Sequence, residues 1–554
     1  MGRTLLFYLF AQVLWPQVPS VKTGIVVGQV VNAKTGEPIA KATLRLNALD
    51  RPAGSTEQPI EIKTATDSQG RFIIGNVPPG RYVLISFQSS GFEASEFGAK
   101  RRGGPGMPIL VPAGERTDGL ILRLVPLGAA TGRVLDEDGE PVEHASVQAQ
   151  TFRFESGRRT LVTAGQATTN DLGAFRIAKL PAGQYFLVAG FYRVAKEATP
   201  GGGLVVRRAA DTSFAPTYYP GTVDARAAAS IDVPAGEEAG GLTIKLLKKA
   251  AYTIRGKVTQ DLLPGSPNLS VVLAPLGSDI SAALAGTLSG IVDGKGNFEI
   301  RGVPPGSYAV YAWVGTYPNN FQTHCEVGVY DKDVDGVEVR FAPRVRVTGK
   351  VRLKDKTARD MTGISVLLRP RADGFALVKE RGTHVREDGG FEIEDVEAGL
   401  YDVELFHLPE GFYMEAAHSG DRNVLDLGFE CAGKIAPLEI VLSPASATVD
   451  GVALDDKNQQ PVAGATVALV PQEDGRRNRE MYYRTAVADA SGRFSLSGIV
   501  PGTYKFFAWD DIEPGAYMDP EFMKQWESKV TAKTIREGAR EAVSLSVLHS
   551  ETAK

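Results

Sequence analysis

The chain has 554 residues, 43% of them hydrophobic, with 61 Gly, 33 Pro and a formal net charge of -4. That length suits about four or five domains of ~100–150 residues each, and the Gly and Pro content suits a turn-rich all-β protein. Lys and Arg are mixed among Asp and Glu, so no basic face invites nucleic acid or an anionic membrane.

Residues 1–20 carry Arg3, an apolar run from Leu5 to Leu14, then Trp15-Pro16 and Val18-Pro19-Ser20. This is the shape of a secretory signal peptide. The run is too short for a membrane span, and no later apolar stretch could make one. The chain is therefore expected to be exported, to the periplasm, the outer surface or the medium.

From there a plan of about 100 residues comes five times, the mark of a repeat architecture. A first strand carries Gly with Val or Ala two residues on: Gly28-Gln29-Val30, Gly132-Arg133-Val134, Gly256-Lys257-Val258, Gly349-Lys350-Val351 and Gly451-Val452-Ala453. A Pro-led strand follows, as in Pro38 to Leu44, Pro141 to Val147 and Pro461 to Val467. Weaker versions stand at Ser270-Val271 and Ser365-Val366. Next comes the hairpin that all five copies share, typified by Asp67-Ser68-Gln69-Gly70-Arg71-Phe72 and Val77-Pro78-Pro79-Gly80-Arg81-Tyr82. Its Phe and Tyr are 10 residues apart every time: Phe72 and Tyr82, Phe175 and Tyr185, Phe298 and Tyr308, Phe391 and Tyr401, Phe494 and Tyr504.

The spacing predicts a turn at Asp67–Gly70, where Asp bonds its own backbone and Gly takes positive φ. A second turn is predicted at Pro78–Gly80, of type II with Gly80 at its third position. In the fourth copy Tyr401, Val403 and Leu405 alternate with Asp402 and Glu404. The Tyr face therefore points inward, and its hydroxyl is placed to bond a backbone group, as in other sandwiches. After the hairpin each repeat has a loop of variable length, then a last strand such as Leu120 to Leu124, Leu242 to Leu246 or Leu438 to Leu442. Asp519-Pro520-Glu521 reads as a helix start, with a short helix to about Glu527.

About seven short strands per repeat describe a Greek-key β-sandwich. The expected fold class is all-β, a tandem array of five such sandwiches of the transthyretin-like type. The boundaries expected are 24–125, 128–247, 250–342, 344–443 and 446–548, after the signal peptide at 1–20. The joints are short: Leu124 to Gly132 and Phe341 to Gly349 are eight residues each. Such joints predict domains held end to end in a semi-rigid, elongated array.

The Gly-x-Val strand, the Pro-x-x-x-Ala-x-Val segment and Asp-x-x-Gly-x-Phe with Pro-x-Gly-x-Tyr resemble the carboxypeptidase regulatory-like domain, a transthyretin-like sandwich grouped with carbohydrate-binding-like folds. The likeness is strong in repeats one, two and five. Repeat three lacks the Pro-led segment. Repeat four has Arg386 in place of the Asp and Glu397-Ala398-Gly399 in place of Pro-x-Gly. The tail from Phe507 resembles multi-repeat exported proteins of soil bacteria of the acidobacterial type. The resemblance implies a non-catalytic accessory or binding role, with carbohydrate as the favoured ligand.

Enzyme chemistry finds little support. His384 to Glu387 and His407 to Glu410 have zinc-pair spacing, but each lacks a third ligand, and Pro409 interrupts the second. His-Glu-x-x-His and Gly-x-Ser-x-Gly are absent, and six histidines are a thin supply for acid–base work. Asp136-Glu137-Asp138-Gly139 looks like a calcium loop but lacks the later Glu. Lys257 and Lys350 lie in first strands, yet the acidic partner an isopeptide bond needs is absent from the Pro-x-Gly turn in most repeats. Cys325 and Cys431 fall in different repeats and form neither a disulfide framework nor a zinc site. No catalytic residue, metal or cofactor is expected.

Binding falls instead to aromatics in and around the loop after the Tyr strand: Trp313, Trp509, Tyr218, Tyr219, Tyr317, Phe412, Tyr413 and Tyr517. Five residues after the Tyr stand Phe87, Trp313, Phe406 and Trp509, on the outward parity. Exposed aromatic faces serve sugar stacking or protein contact. The other reading is that these loops cover a sandwich edge or fill a joint between domains. The expected partner is a polysaccharide or a cell-envelope protein, bound by a monomer.

Overall fold

The computed structural model describes residues 22–49, 60–87, 91–155, 157–191, 194–198, 204–208, 212–259, 269–276, 288–314, 321–341, 344–355, 361–371 and 380–549. The expected signal peptide and Tyr317 lie outside the described residues. Among them no helix is long and apolar enough to cross a membrane.

The first sandwich sets the pattern. Its strands are β1 (Gly24–Asn32), β2 (Thr43–Ala48), β3 (Glu61–Ala65), β4 (Arg71–Val77), β5 (Gly80–Ser86), β6 (Ser95–Glu96), β7 (Ile109–Val111) and β8 (Arg116–Leu124). One sheet runs β4-β1-β8, and the other runs β3-β2-β5 with β6 and β7 both paired to β5. β1 is antiparallel to β4 and parallel to β8. The alternation of each strand sends Val26, Val30, Leu44, Leu46, Phe72, Tyr82, Leu84 and Leu122 into one core between the sheets.

The counterparts of β1 are Gly128–Leu135, Tyr252–Thr259, Val345–Leu353 and Ala447–Asp455. Each runs parallel to a last strand, respectively Glu238–Lys245, Val334–Arg340, Leu438–Ser443 and Arg540–Val547. The fold is all-β, five tandem sandwiches. In the third, pairing of Leu288–Val292 with Asn297–Val303 joins the two sheets into one of seven strands.

The shared glycine and phenylalanine explain each other. Gly28 lies opposite Phe72 across β1 and β4, and the other four pairs keep that register. A Cβ on Gly28 would sit 2.5 Å from the Phe72 ring and 2.3 Å from the Leu120 carbonyl oxygen. At Gly132, Gly256, Gly349 and Gly451 it would sit 2.2 to 2.8 Å from the facing ring. The Phe ring occupies the space of the missing side chain.

The Tyr faces inward in all five copies, at most 5% exposed. Each hydroxyl donates to the carbonyl four residues back: Tyr82 to Pro78, Tyr185 to Pro181, Tyr308 to Pro304, Tyr401 to Glu397 and Tyr504 to Val500, at 2.6 to 2.9 Å. The Asp turn forms as expected, with Gly70 at φ 67 and Asp67 Oδ1 accepting from the Gln69 and Arg71 amides. In repeat four, Asp388 accepts from Gly390 in its stead.

Two expectations are corrected. Gly80 has φ 159, which is extended backbone. The left-handed residue is Asn76, with Lys179, Gly302, Asp395 and Gly498 at the same place in the other copies. The helix at Pro520 is capped by Asp519 as expected but ends at Met523, and a 3-10 turn follows at Glu527–Lys529.

The sandwiches are not strung end to end. The joint between the second and third is itself a strand, Leu247–Ala250, paired with Thr212–Ala215. The fifth sandwich touches the fourth, and it also reaches back to the first and second, as described next.

Candidate functional site

The sequence placed eight aromatics on binding loops, and the seven among the described residues fall on four sandwiches. Trp313 is half-buried at the end of Gly306–Val314, between Ser270 and Gln322 on the neighbouring strands. Tyr218 and Tyr219 are also half-buried, and burial pushes the Tyr218 phenol up. Phe412 and Tyr413 are buried, at 6% and 5% exposure. The reason is local. Their loop becomes a strand, Tyr413–Ser419, which adds to the first sheet of the fourth sandwich beside Leu438–Ser443. Phe412 enters that core.

Trp509 has no exposed surface. Its outward parity is shared by Phe87 and Phe406, which are 37% and 43% exposed. In the fifth sandwich the following loop folds over that face. Trp509 stacks on Phe507 at 5.3 Å and meets Trp526 edge to face at 6.4 Å. Ile512, Ala516, Met518 and Met523 complete the cluster. Tyr517 is half-buried against it, 6.1 Å from Tyr483, and burial raises its phenol too. Trp509 is thus a core residue of a loop-on-sheet cluster, without an open face for a sugar.

That cluster is also a joint. In the second sandwich Ser146–Glu155 and Arg158–Thr168 form a hairpin far longer than β2 and β3. Its tip carries Phe154, which packs on the cluster and meets the Phe522 ring edge to face at 6.0 Å. Gly157 lies so close to Met518 that a Cβ there would stand 2.7 Å from its carbonyl oxygen. The first sandwich contributes Arg101, whose Nε bonds Asp511 at 2.5 Å. The next residue, Arg102, pairs with Glu93 at 2.7 Å and donates to the Tyr185 hydroxyl at 3.3 Å. Burial raises the Glu93 carboxyl, with Arg102 opposing it.

The joint between the fourth and fifth sandwiches combines a buried apolar cluster of Tyr413, Tyr482 and Val500 with polar contacts. The Glu537 carboxylate accepts from the Ser443 hydroxyl at 2.6 Å, the Tyr413 hydroxyl at 3.2 Å and Lys354 at 3.2 Å. The Ser443 bond first and Lys354 second hold that carboxyl below its usual range. Asp402, placed on the outward parity by sequence, is covered by the 473–483 segment of the fifth sandwich. Arg371 bonds it at 2.5 Å, and the Arg479 Nε lies 3.3 Å from the same oxygen without hydrogen-bond alignment. The Arg479 side chain is 3% exposed.

His384 shares a hydrogen bond with Ser365 across two paired strands, at 3.0 Å. Cys325 is half-buried and Cys431 is buried, both as free thiols, and burial pushes the Cys431 thiol up to about 12. One set of side chains that the sequence reading missed could hold a metal ion: Asp455, Asp456 and His549 bring a ligand atom each within 4.8 Å of one another. The His549 imidazole meets a third carboxylate as well. Asp510 bonds it at 2.9 Å, and that bond first, with Asp456 and Asp455 behind it, pushes its pKa up. The chain position of His549, far from the other three in sequence, hid this set.

Residues 25–109 and 129–215 match the family described as the carboxypeptidase regulatory-like domain. No curated protein matches the chain. Among solved structures, the minor pilin of Streptococcus agalactiae is similar at 12% identity and a TM-score of 0.22, over 40% of this chain and 95% of that one. A streptococcal ancillary pilin is similar at 13% and 0.19, over 53% and 98%. Two B repeat units of the collagen-binding protein of Staphylococcus aureus are similar at 13% and 0.13, over 76% and 100%. Nothing about function follows from likeness at that level.

Proposed function

We propose that this chain, which carries carboxypeptidase regulatory-like domains in its first two sandwiches, is a non-catalytic scaffold, a structural module for protein assembly in the cell envelope. The observation that carries this reading is the use made of the large aromatic side chains. Trp509 and Trp526 are buried in a cluster of the fifth sandwich, and Phe154 of the second packs on that cluster against Phe522. A sugar platform needs an open ring face, whereas a scaffold needs rigid joints. Contacts from the fifth sandwich to the first, second and fourth support rigidity further.

Trp313 favours a second reading. It is half-buried against Tyr311, whose ring lies 5.3 Å from that of His324, so a carbohydrate could stack there. Tryptophan fluorescence during titration with a panel of soluble polysaccharides separates the two. A scaffold gives a flat response, with emission blue-shifted and poorly quenched. A saturable shift that Trp313→Ala abolishes overturns the scaffold reading in favour of carbohydrate binding.

A further inference from the structure

The ends of three strands meet at one corner of the fifth sandwich. The first strand, Ala447–Asp455, ends on Asp455, which lies opposite Val547 of the last strand. Asp456 opens the turn that follows, and His549 stands two residues beyond Val547. Gly502–Trp509 ends beside them: Trp509 bridges Leu548, and the Asp510 amide donates to the Leu548 carbonyl at 3.2 Å. Backbone pairing thus brings Asp455, Asp456, Asp510 and His549 to one place.

The side chains there are oriented. Asp510 bonds Nδ1 of the imidazole at 2.9 Å. The neutral ring then donates from Nδ1 and carries its lone pair on Nε2. Nε2 faces Asp455 Oδ2 at 3.7 Å and Asp456 Oδ1 at 3.6 Å. Those separations are too long for hydrogen bonds. They match two donors each about 2.1 Å from one ion, which stand about 3.0–3.7 Å apart at bond angles of about 90–120°. The Lys457 and Asn458 amides hold the other oxygen of Asp455, so Oδ2 is the one turned to the ring. A carboxylate on the far ring nitrogen is the usual support of a metal-binding histidine.

The second sandwich shows the same turn with a cation built in. Leu454 lies opposite Ser546 as Leu135 lies opposite Lys245. By that register Asp455 and Asp456 match Asp136 and Glu137, and His549 matches Lys248. The Lys248 Nζ lies 2.9 Å from the Glu137 carboxylate. The first and fourth sandwiches carry Pro126 and Pro444 at that place. The fold therefore needs no histidine there. The fifth sandwich keeps two acids and replaces a fixed cation by a side chain able to ligate one.

We propose that Asp455, Asp456 and His549 bind one divalent transition-metal ion of the zinc class, with Asp510 positioning the imidazole. Carboxylates alone suit calcium or magnesium, whereas an imidazole nitrogen suits zinc. The ligands are partly exposed, so water completes the coordination. The ion ties the first strand of the sandwich to the segment after the last. The scaffold reading does not use this corner, and the two stand or fall separately.

The test is calorimetric titration of the purified, chelator-treated chain with zinc chloride and, separately, with calcium chloride. Saturable binding of zinc at one site is expected, with calcium weaker by about tenfold or more. His549→Lys, which copies Lys248, should abolish that site with the fold intact. Asp510→Asn leaves all three ligands in place and should weaken zinc about 10–100-fold, as loss of a carboxylate behind a ligand does. In NMR spectra zinc should move the His549 ring signals before those of any other histidine. A chain that binds no zinc overturns the proposal. So does zinc binding that neither substitution weakens, or calcium binding as tight as that of zinc, which would mark a plain acidic cluster.

Discussion

At the scale of single residues, the repeat is held by atoms that fill one another's space. Gly28→Ala puts a methyl against the Phe72 ring and the Leu120 carbonyl, and overpacking of this kind costs about 1–3 kcal/mol. Gly75→Ala, where a Cβ meets open space, should stay within about 0.5 kcal/mol. Hydrogen exchange of the β1 and β4 amides checks both, since five domains make a single unfolding midpoint ill defined. His549 gives a pH-dependent counterpart. Its pKa is raised in the folded protein, chiefly by the Asp510 bond. The stability it contributes is therefore fully present below the ordinary histidine value near 6.5 and is lost as pH rises through the raised one. An NMR titration should place the imidazole above its ordinary value, and Asp510→Asn should move it back down. A His549 that titrates at the ordinary value in both proteins refutes the pairing.

At the scale of elements, the sequence disclosed whatever repeats and hid whatever does not. The Gly-x-Val strand, the Phe–Tyr hairpin and the inward Tyr were legible because five copies mark them by spacing alone. Gly80 was misread because the turn residue nearest Tyr82 is the obvious candidate for positive φ, whereas the bulge opposite Gly24 and Val26 moves it to Asn76. Elements particular to one copy were missed. The long hairpin at Ser146–Thr168 carries β-branched and aromatic residues, whereas the strand Tyr413–Ser419 carries no β-branched residue, and each was read as part of the shared plan. The covering of Asp402 was illegible too, because it depends on a segment of another sandwich. That cover makes a sharp prediction. Asp402→Asn leaves Arg371 and the buried Arg479 without their carboxylate, which should cost about 3 kcal/mol or more. Arg479→Met keeps the length and removes the charge, so it should be close to neutral. Proteolysis within 473–483 should speed up in the first variant and stay slow in the second.

At the scale of the whole molecule, contacts along and across the chain form a circuit. Short joints link consecutive sandwiches, and the fifth returns to the first two through Phe154, Gly157 and the Arg101–Asp511 pair. These closing contacts differ in kind. The ion pair leaves both side chains about a third exposed, so it is worth little and salt screens it. The apolar contact carries more, because it buries ring surface and adds an edge-to-face pair of about 0.5–1.5 kcal/mol. Gly157 is the place to break it. It sits at φ 76 with Met518 in the space of a Cβ, so Gly157→Val both strains the hairpin tip and pushes the fifth sandwich away. The substitution touches no sandwich core. If the circuit is closed in solution, the variant should show a larger radius of gyration by X-ray scattering, and quencher should reach Trp526 more readily. High salt should widen the variant further while leaving the native chain compact, since only the variant would then depend on the ion pair. A native protein that already scatters as an extended string, with Trp526 open to quencher, would mean that the closing contacts do not hold and that the short joints alone set the shape.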